Sequence, residues 1–283
     1  MNMADHKQDN QTVVIIRDTD GVIWVTLNRP DRLNTFNDEM LDELQSALCI
    51  GGNDPEAKAL VITGAGQDAF CMGSDLNFLN EAFKSREFGL FRNYLVKLSD
   101  LFFTIEELSI PVVAMVQGRA RAAGFEMMLA CDFVFVAEEA IIGDVHTPFG
   151  HIPGAGSTYR LAWKIGPQRA LQILMTGEWL SASEAVKYGI SIGSAKRDAL
   201  QVCVKTFLSK LTDKPRDCLT HIKRCTVRAR DMPARAAVEL EWKTYIEYLA
   251  TSLEPLEQFR ANQERLRSKQ RGSPERAINM ASE

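Results

Sequence analysis

Short apolar runs separated by glycine-bearing turns are the main pattern in the first two thirds of the chain. Residues 12–17 and 22–27 are β-rich and flank Asp20-Gly21, a dipeptide typical of hairpin turns. Three further runs have the length and β-branching of buried strands, namely residues 59–64, 111–116 and 133–136. The pattern therefore predicts a hairpin followed by strands of a buried sheet.

Apolar positions spaced three and four residues apart predict helices between and after these strands. Asn37 or Thr35 is suited to cap a helix whose apolar positions are Met40, Leu41, Leu44 and Leu48. Glu126 lies in the first turn of a helix predicted from about Phe125 to Ala130. Further helices are predicted at 81–107, at 167–174 and, behind a Ser181/Glu184 capping box closed by Gly189, at 184–188.

The pattern changes near residue 198, where strand-like runs end. We predict an α/β core at 12–197 and a helical C-terminal region at 198–267, with Pro215, Pro233 and Pro255 as breaks between helices. The polar segments 1–11 and 268–283 are predicted to be disordered.

Composition and charge narrow the class of protein. The 283 residues carry a net charge of -4, which gives no support to nucleic-acid binding. No apolar run is long enough to cross a membrane, and the polar N-terminus resembles neither a secretory signal nor a transit peptide, so we expect a cytoplasmic protein without a membrane partner. The six cysteines show no CxxC pair or Cys/His spacing, which predicts free thiols and no metal site.

Two small-residue turns follow buried strands in the same way. Residues 118–124 follow the strand at 111–116, and residues 69–76 follow the strand at 59–64. Small residues let a ligand oxygen approach backbone N–H groups closely, and a helix that begins in such a turn presents free N–H groups. Together the turns predict an oxyanion hole beside Glu126, with His146 carried to the same region by a neighbouring element.

Several segments in order and spacing make the chain resemble the crotonase superfamily, also called the enoyl-CoA hydratase/isomerase family. The motifs are Asn28-Arg29-Pro30 with Leu33-Asn34, the turn at 69–76, the segment 111–132, and Ile152-Pro153-Gly154-Ala155-Gly156-Ser157 with Arg160-Leu161, so that the match runs from about Val13 to about Arg267. The resemblance implies an α/β fold, a spiral of ββα units, with a helical C-terminal trimerisation region. It also implies a homo-oligomer, either a trimer or a hexamer formed by two trimers.

The same resemblance implies an acyl-CoA substrate and assigns roles to residues. The backbone N–H groups of Ser74 and Ala123 would hold the thioester oxygen, and the adenine and phosphates of coenzyme A would lie along Arg29, Arg32 and Leu33. Other expected substrate-binding positions are Met72, Gly73, Asp75, Gly124 and Asp144. Coenzyme A enters as part of the substrate, so no separate cofactor is expected.

The chain departs from the family pattern at one acid/base position. A typical hydratase has two glutamates; Glu126 matches the first, and His146 stands where the second would be. We expect Glu126 and His146 to share acid/base work, with Asp144 orienting the imidazole if residues 144–146 are extended. His151 lies in the same loop and is the alternative candidate for the acid/base role assigned to His146.

The histidine leaves several reactions open. An enoyl-CoA hydratase is the leading hypothesis, and an enoyl-CoA isomerase of the same superfamily is an alternative. A β-diketone hydrolase, which cleaves a carbon–carbon bond, is another, although such enzymes have an aspartate at the position of Ala155. A catalytically silent binding protein is the hypothesis outside the enzymes.

For other polar and aromatic residues near these motifs, structural roles are the leading interpretation. Asp75 and Asp132 are expected to be caps or hydrogen-bond anchors, and Arg119 and Arg121 to be solvated or paired between subunits, with contact to coenzyme A as a lesser alternative. Four aromatic residues are either acyl-pocket or core residues, namely Phe91, Tyr94, Trp163 and Trp179.

Overall fold

The computed structural model describes residues 11–86 and 88–271, which form strands and helices in alternation. The strands are β1 (Val13–Arg17), β2 (Val22–Leu27), β3 (Ala59–Gly64), β4 (Ala69–Cys71), β5 (Val112–Val116), β6 (Arg119–Arg121), β7 (Phe133–Ala137), β8 (Ile141–Gly143), β9 (Leu180–Ser181) and β10 (Gly193–Ala195). The helices are α1 (Asp38–Asn53), α2 (Leu76–Ser85), α3 (Phe88–Glu107), α4 (Ala123–Ala130), α5 (Ser157–Ile165), α6 (Pro167–Thr176), α7 (Ala182–Tyr188), α8 (Arg197–Thr212), α9 (Arg216–Ala229), α10 (Ala234–Thr251) and α11 (Glu254–Arg271).

The predicted hairpin is formed by β1 and β2, which pair antiparallel from Val13 opposite Leu27 to Arg17 opposite Ile23. Asp18 organises the turn, since its Oδ1 accepts from the N–H groups of Asp20 and Val22 at 3.0 Å. Asn37 caps α1 by accepting from the Met40 N–H at 3.0 Å, as the sequence predicts.

Two sheets run through the core. The larger has the order β1-β2-β3-β5-β7-β10 and is parallel except for the β1–β2 pair. The smaller has the order β4-β6-β8-β9 and is parallel except for the β8–β9 pair. Its strands have only two or three residues, so they carry no periodicity that a sequence pattern would reveal.

The sheets arise from a repeated unit of one long strand, one short strand and a helical segment. The units begin at β3, β5 and β7, and successive copies place these strands side by side in the larger sheet and β4, β6 and β8 side by side in the smaller one. This is the spiral of ββα units that the family resemblance implies. The short strands bring the turns that follow them to one edge of the small sheet.

The core packs between these sheets and the helices, and α4 lies deepest. All eight residues of α4 are buried, whereas α1 buries one apolar face that includes Met40, Leu41, Leu44 and Leu48. Any polar side chain on α4 is therefore surrounded by protein.

The predicted helical region at 81–107 is two helices. The first, α2, begins earlier than predicted, at Leu76, and ends at Ser85 before Arg86, whose φ of 52° lies in the left-handed region. The second, α3, then runs to Glu107. The capping box predicted at Ser181 and Glu184 is present at the start of α7, and Gly189 ends that helix in a left-handed conformation.

The chain divides into two compact units, one ending at Arg230 and the other beginning at Asp231. The sequence pattern places a boundary near 198 instead, where strands end. The first unit continues beyond that point because α8 buries Leu200, Val204 and Leu208 and contacts β7 and β10.

The predicted disorder of 1–11 and 268–283 concerns segments that are mostly outside the described residues, which include Gln11 and, as the end of α11, residues 268–271. Among the described helices, none combines the length and apolar character needed to span a bilayer.

Candidate active site

The two small-residue turns contact each other at the edge of the small sheet. A methyl group on Gly73 would lie 3.1 Å from the Ala122 Cβ and 3.3 Å from the Ala123 nitrogen, and the φ of Gly73 is 92°. A methyl group on Gly124 would lie 2.1 Å from the Cys71 carbonyl oxygen. Glycine is therefore required at both positions, because the two turns pack backbone against backbone.

The backbone of the first turn leaves the Ser74 N–H unused. The Phe36 N–H donates to the Gly73 carbonyl, and the Asp75 N–H donates to the Phe36 carbonyl, both at 2.8 Å. This parallel bridge uses the Gly73 carbonyl and the Asp75 N–H. The Ser74 N–H lies between them and points away from Phe36.

The second turn supplies a matching N–H. Ala123 is the first residue of α4, so its N–H has no partner within the helix. The residue before it, Ala122, has a φ of 49°, and its N–H donates to the Asp144 carbonyl at 3.1 Å. Within the described residues, neither the Ser74 nor the Ala123 N–H donates to another group, so neither is used by the fold itself.

Glu126 is held rigidly on α4. Its side chain is buried, with the residue 2% exposed, and Oε1 accepts from the Ala155 N–H at 2.9 Å and the Ser157 N–H at 3.1 Å. Burial raises the pKa of Glu126 above its ordinary value, against the opposing effect of the His146 charge and the two N–H donors. These donors occupy Oε1 and leave Oε2 for other chemistry.

His146 is paired with Asp144. The imidazole Nδ1 lies 2.7 Å from the Asp144 Oδ1, and Asp144 is fully buried. Burial acts to lower the pKa of His146, but the Asp144 hydrogen bond and the charges of Asp144 and Glu126 outweigh it, so that the pKa is raised. With Nδ1 on the carboxylate, Nε2 is the ring nitrogen left for a substrate.

Asp144 and His146 pair as expected, but residues 144–146 do not have the extended conformation from which that pairing is predicted. The short strand β8 ends at Gly143, and Val145 has a φ of 51°, in the left-handed region that a β-branched residue rarely adopts. Such a conformation costs on the order of 1–3 kcal/mol and persists only when the surroundings fix it. The turn at Val145, rather than the alternation of a strand, brings the two side chains together.

A buried ion cluster lies behind Glu126. The Arg160 Nη1 donates to the Ala155 carbonyl at 2.6 Å, and its Nε and Nη2 donate to Glu106 at 3.0 and 3.1 Å. Arg230 also donates to Glu106, at 2.8 Å. Burial acts to raise the pKa of Glu106, but the two arginines outweigh it and lower the pKa. The Ala155 peptide, which donates to Glu126, is thus held from its other side.

The residues expected along coenzyme A are anchored in different ways. The Arg29 side chain donates to the Thr35 carbonyl at 2.6 Å and pairs with Asp75 at 3.3 Å. Asp75 in turn caps α2 by accepting from the Asn77 N–H at 3.0 Å, as expected of a cap. Arg32, whose side chain is 60% exposed, is the better placed of the two arginines to meet a phosphate.

The loop and the first turn are tied together. The Met72 N–H donates to the Leu33 carbonyl at 3.1 Å, and the buried Asn34 donates to the Ala65 and Ala69 carbonyls at 3.0 and 2.8 Å. Burial raises the pKa of the Cys71 thiol to about 12, so this cysteine stays protonated beside the turn. The sequence does not mark Asn34 or Glu106 as supports of the site, since each is followed by another polar residue, Thr35 and Glu107.

The remaining predicted residues are placed as follows. His151 is exposed, and its N–H donates to the His146 carbonyl at 3.2 Å. Asp132 is an anchor, since its Oδ2 accepts from the Val112 N–H and from Lys223, both at 2.7 Å. Tyr94 is buried against Phe78, with ring centroids 4.5 Å apart. Phe91 packs against the core, whereas Trp163 and Trp179 are exposed.

Comparison with known proteins agrees with this architecture. Residues 17–267 match the family model described as enoyl-CoA hydratase/isomerase. A crotonyl-CoA hydratase of Syntrophomonas wolfei is 31% identical over 203 residues, which are 71% of this chain and 76% of that protein. An ethylmalonyl-CoA decarboxylase of Gallus gallus is 30% identical over 81% of this chain and 77% of that protein.

The solved structures give the same result for the fold. An enoyl-CoA hydratase from Bacillus anthracis superposes with a TM-score of 0.84 at 29% identity, covering 90% of this chain and 97% of that one.

Proposed function

The chain belongs to the enoyl-CoA hydratase/isomerase family, and we propose that it adds water across the double bond of an enoyl-CoA thioester, with Glu126 and His146 as base and acid. The observation that carries the proposal is the arrangement of one buried carboxylate and one carboxylate-paired imidazole beside two turns with free N–H groups. Its relatives include hydratases, which act on substrates of this class.

The thioester oxygen binds to the Ser74 and Ala123 N–H groups. When water attacks the β-carbon, electrons move onto this oxygen and an enolate forms. Two fixed N–H donors stabilise the charge as it develops, by on the order of 3 kcal/mol for each donor. The contact between Gly73 and the Ala122–Ala123 turn supports this role, because it holds the two donors near each other.

Glu126 takes the proton of the attacking water. Its raised pKa makes the carboxylate a stronger base than an ordinary glutamate, and the two N–H donors on Oε1 fix its orientation. Water oxygen then bonds to the β-carbon, and the water proton goes to Glu126.

His146 supplies the proton of the α-carbon. The raised pKa favours the imidazolium, which Asp144 stabilises through Nδ1, so that Nε2–H is the donor to the enolate. A proton returned from Glu126 to His146 restores the starting state. Glu126 and His146 therefore carry one exchangeable proton in total before and after each turnover. The product has gained one water.

The test is hydration of trans-2-enoyl-CoA thioesters, followed by loss of the conjugated absorbance. Glu126→Gln and His146→Ala should each lower kcat by about 10²–10⁴-fold, the range of acid/base catalysis. His151→Ala is the matched control, because His151 lies in the same loop but is exposed, and it should keep most of the activity. A parent enzyme that binds acyl-CoA but hydrates none of these thioesters would refute the proposal.

The Asp144–His146 pair also favours a second candidate, the β-diketone hydrolase, since that chemistry uses a histidine paired with an aspartate. Here the aspartate comes from two residues earlier rather than from the position of Ala155. Calorimetric titration with coenzyme A separates the two functions. Cleavage of a free diketone by a protein that does not bind coenzyme A would favour the hydrolase, and tight binding would count against it.

A further inference from the structure

One cationic side chain beside the candidate site has no role in the proposed reaction. Arg121 ends β6, immediately before the turn that carries Ala123. Its guanidinium carbon lies 5.5 Å from the ring centroid of Phe149, three residues after His146. Its carbonyl oxygen would lie 3.1 Å from a methyl group on Gly73, so the residue adjoins both turns, and its charge acts on His146.

This guanidinium lacks a polar partner. Within residues 11–86 and 88–271, the Arg121 side chain makes no hydrogen bond or ion pair, whereas the side chain of Arg119 donates to the Asp68 carbonyl at 3.2 Å. Arg121 is partly buried, and burial lowers its pKa from the ordinary value. A partly buried guanidinium keeps fewer contacts with water than an exposed one, so an acceptor supplied by a ligand would stabilise it.

We propose that Arg121 binds a carboxylate on the acyl group, so that the substrate is an enoyl-CoA whose acyl chain carries a free acid. The proposal rests on the function proposed above. A guanidinium matches a carboxylate through two parallel hydrogen bonds.

The position of Arg121 favours an acyl carboxylate over a phosphate of coenzyme A. It adjoins the turn proposed to hold the thioester oxygen, and its charge acts on His146, which is proposed to protonate the α-carbon at the reacting end of the substrate. The arginine with an exposed guanidinium on the coenzyme A loop, Arg32, lies on a different segment.

Binding of saturated acyl-CoA pairs tests the subsite without requiring turnover. Pentanoyl-CoA and glutaryl-CoA differ by a methyl and a carboxylate at the end of the chain, as do hexanoyl-CoA and adipoyl-CoA. By calorimetry the acidic member of at least one pair should bind about tenfold more tightly or better, the range of hydrogen bonds to charged groups. Arg121→Leu should remove this preference, Arg121→Lys should keep part of it, and the matched control Arg119→Leu should keep it in full.

Each contrary result has a definite meaning. Equal binding of neutral and acidic members in both pairs overturns the subsite, and so does a loss of affinity for free coenzyme A in Arg121→Leu, which would assign the arginine to a phosphate. A change in molar mass of Arg121→Leu would assign it to a carboxylate of another subunit.

Hydration of trans-2-pentenoyl-CoA and trans-glutaconyl-CoA is measured separately. Turnover of both with equal kcat/KM and no binding preference keeps the hydratase and overturns the subsite. A binding preference without turnover of either keeps the subsite and overturns the hydratase.

Discussion

At the scale of single residues, the protonation of His146 depends on Asp144. The buried carboxylate accepts from Nδ1 at 2.7 Å and raises the pKa of His146 against the effect of burial. In the proposed mechanism the enzyme is active while one proton is shared by Glu126 and His146, so kcat/KM should have an acid and an alkaline limb.

Asp144→Asn should shift the alkaline limb of kcat/KM to lower pH. The aspartate stabilises the imidazolium, so its neutral replacement lowers the pKa of His146, and the acid form is lost earlier as the pH rises. A shift on the order of one pH unit is expected from the removal of an adjacent charge. The measurement is a pH profile of enoyl-CoA hydration, with Asp42→Asn, an exposed change on α1, as the control. An alkaline limb that does not move would show that Asp144 does not set the state of His146.

Sequence alone predicts the pairing of Asp144 and His146 but not its cause. A two-residue spacing suggests a strand, and valine at 145 reinforces that reading because β-branched residues favour strands. The observed left-handed φ of Val145 runs against this local preference. Val145 is buried, so packing around the turn, which no local pattern reports, holds this conformation. The position of Glu126 is easier to predict, because the small-residue turn before it marks where α4 begins and so places Glu126 in the first turn of that helix.

At the scale of elements, the position of the Glu126 carboxylate on α4 depends on residues from α3, from α5 and from the end of α9. Glu106 from α3, Arg160 from α5 and Arg230, directly after α9, form one buried cluster that holds the Ala155 carbonyl. The hairpin, the capping box and the long helices could be predicted from sequence. The strands of the small sheet could not, because two or three residues do not establish a period.

Arg160→Met should destabilise the protein by about 3–5 kcal/mol, since it leaves Glu106 without its bidentate partner in a buried position. Urea denaturation gives the free energy of unfolding. Arg169→Met on α6 is the matched control and should change it by about 0.5 kcal/mol or less, because Arg169 is exposed and donates to Gln172. Equal stability of the two variants would contradict a structural role for the cluster.

The same cluster gives stability a pH dependence. The pKa of Glu106 is lower in the folded protein than in the unfolded chain because Arg160 and Arg230 outweigh burial. The ionised carboxylate therefore contributes stability above its unfolded pKa, and this contribution is lost as the pH falls through the folded value, below the ordinary 4.5.

At the scale of the whole molecule, the second unit presents apolar side chains to solvent. On α10 the exposed residues include Trp242, which is 62% exposed, with Val238, Tyr245 and Ile246. A single soluble chain rarely exposes so many large apolar groups on one helix. We propose that they are covered by other copies of the chain in a trimer, as the family resemblance implies.

Trp242→Glu should convert the trimer to smaller species, since a charge would be buried in the interface. Light scattering coupled to gel filtration should give the parent three times the 31.7 kDa of the chain, or six times if two trimers pair, and the variant a lower mass. Glu241→Lys, at the adjacent exposed position, is the control and should leave the mass unchanged. A monomeric parent would exclude the assembly.

The strand order of the small sheet assigns different parts of the candidate site to different ββα units. In the proposed mechanism the turn after β4 and the turn after β6 receive the thioester, whereas the segment after β8 supplies Asp144 and His146. Each of these segments follows its own short strand. The residues after β8 can therefore be substituted while the turns after β4 and β6 stay unchanged. If the proposed mechanism holds, a lineage built on this plan can change its chemistry by altering a handful of residues after β8, while it inherits the two turns that bind the thioester.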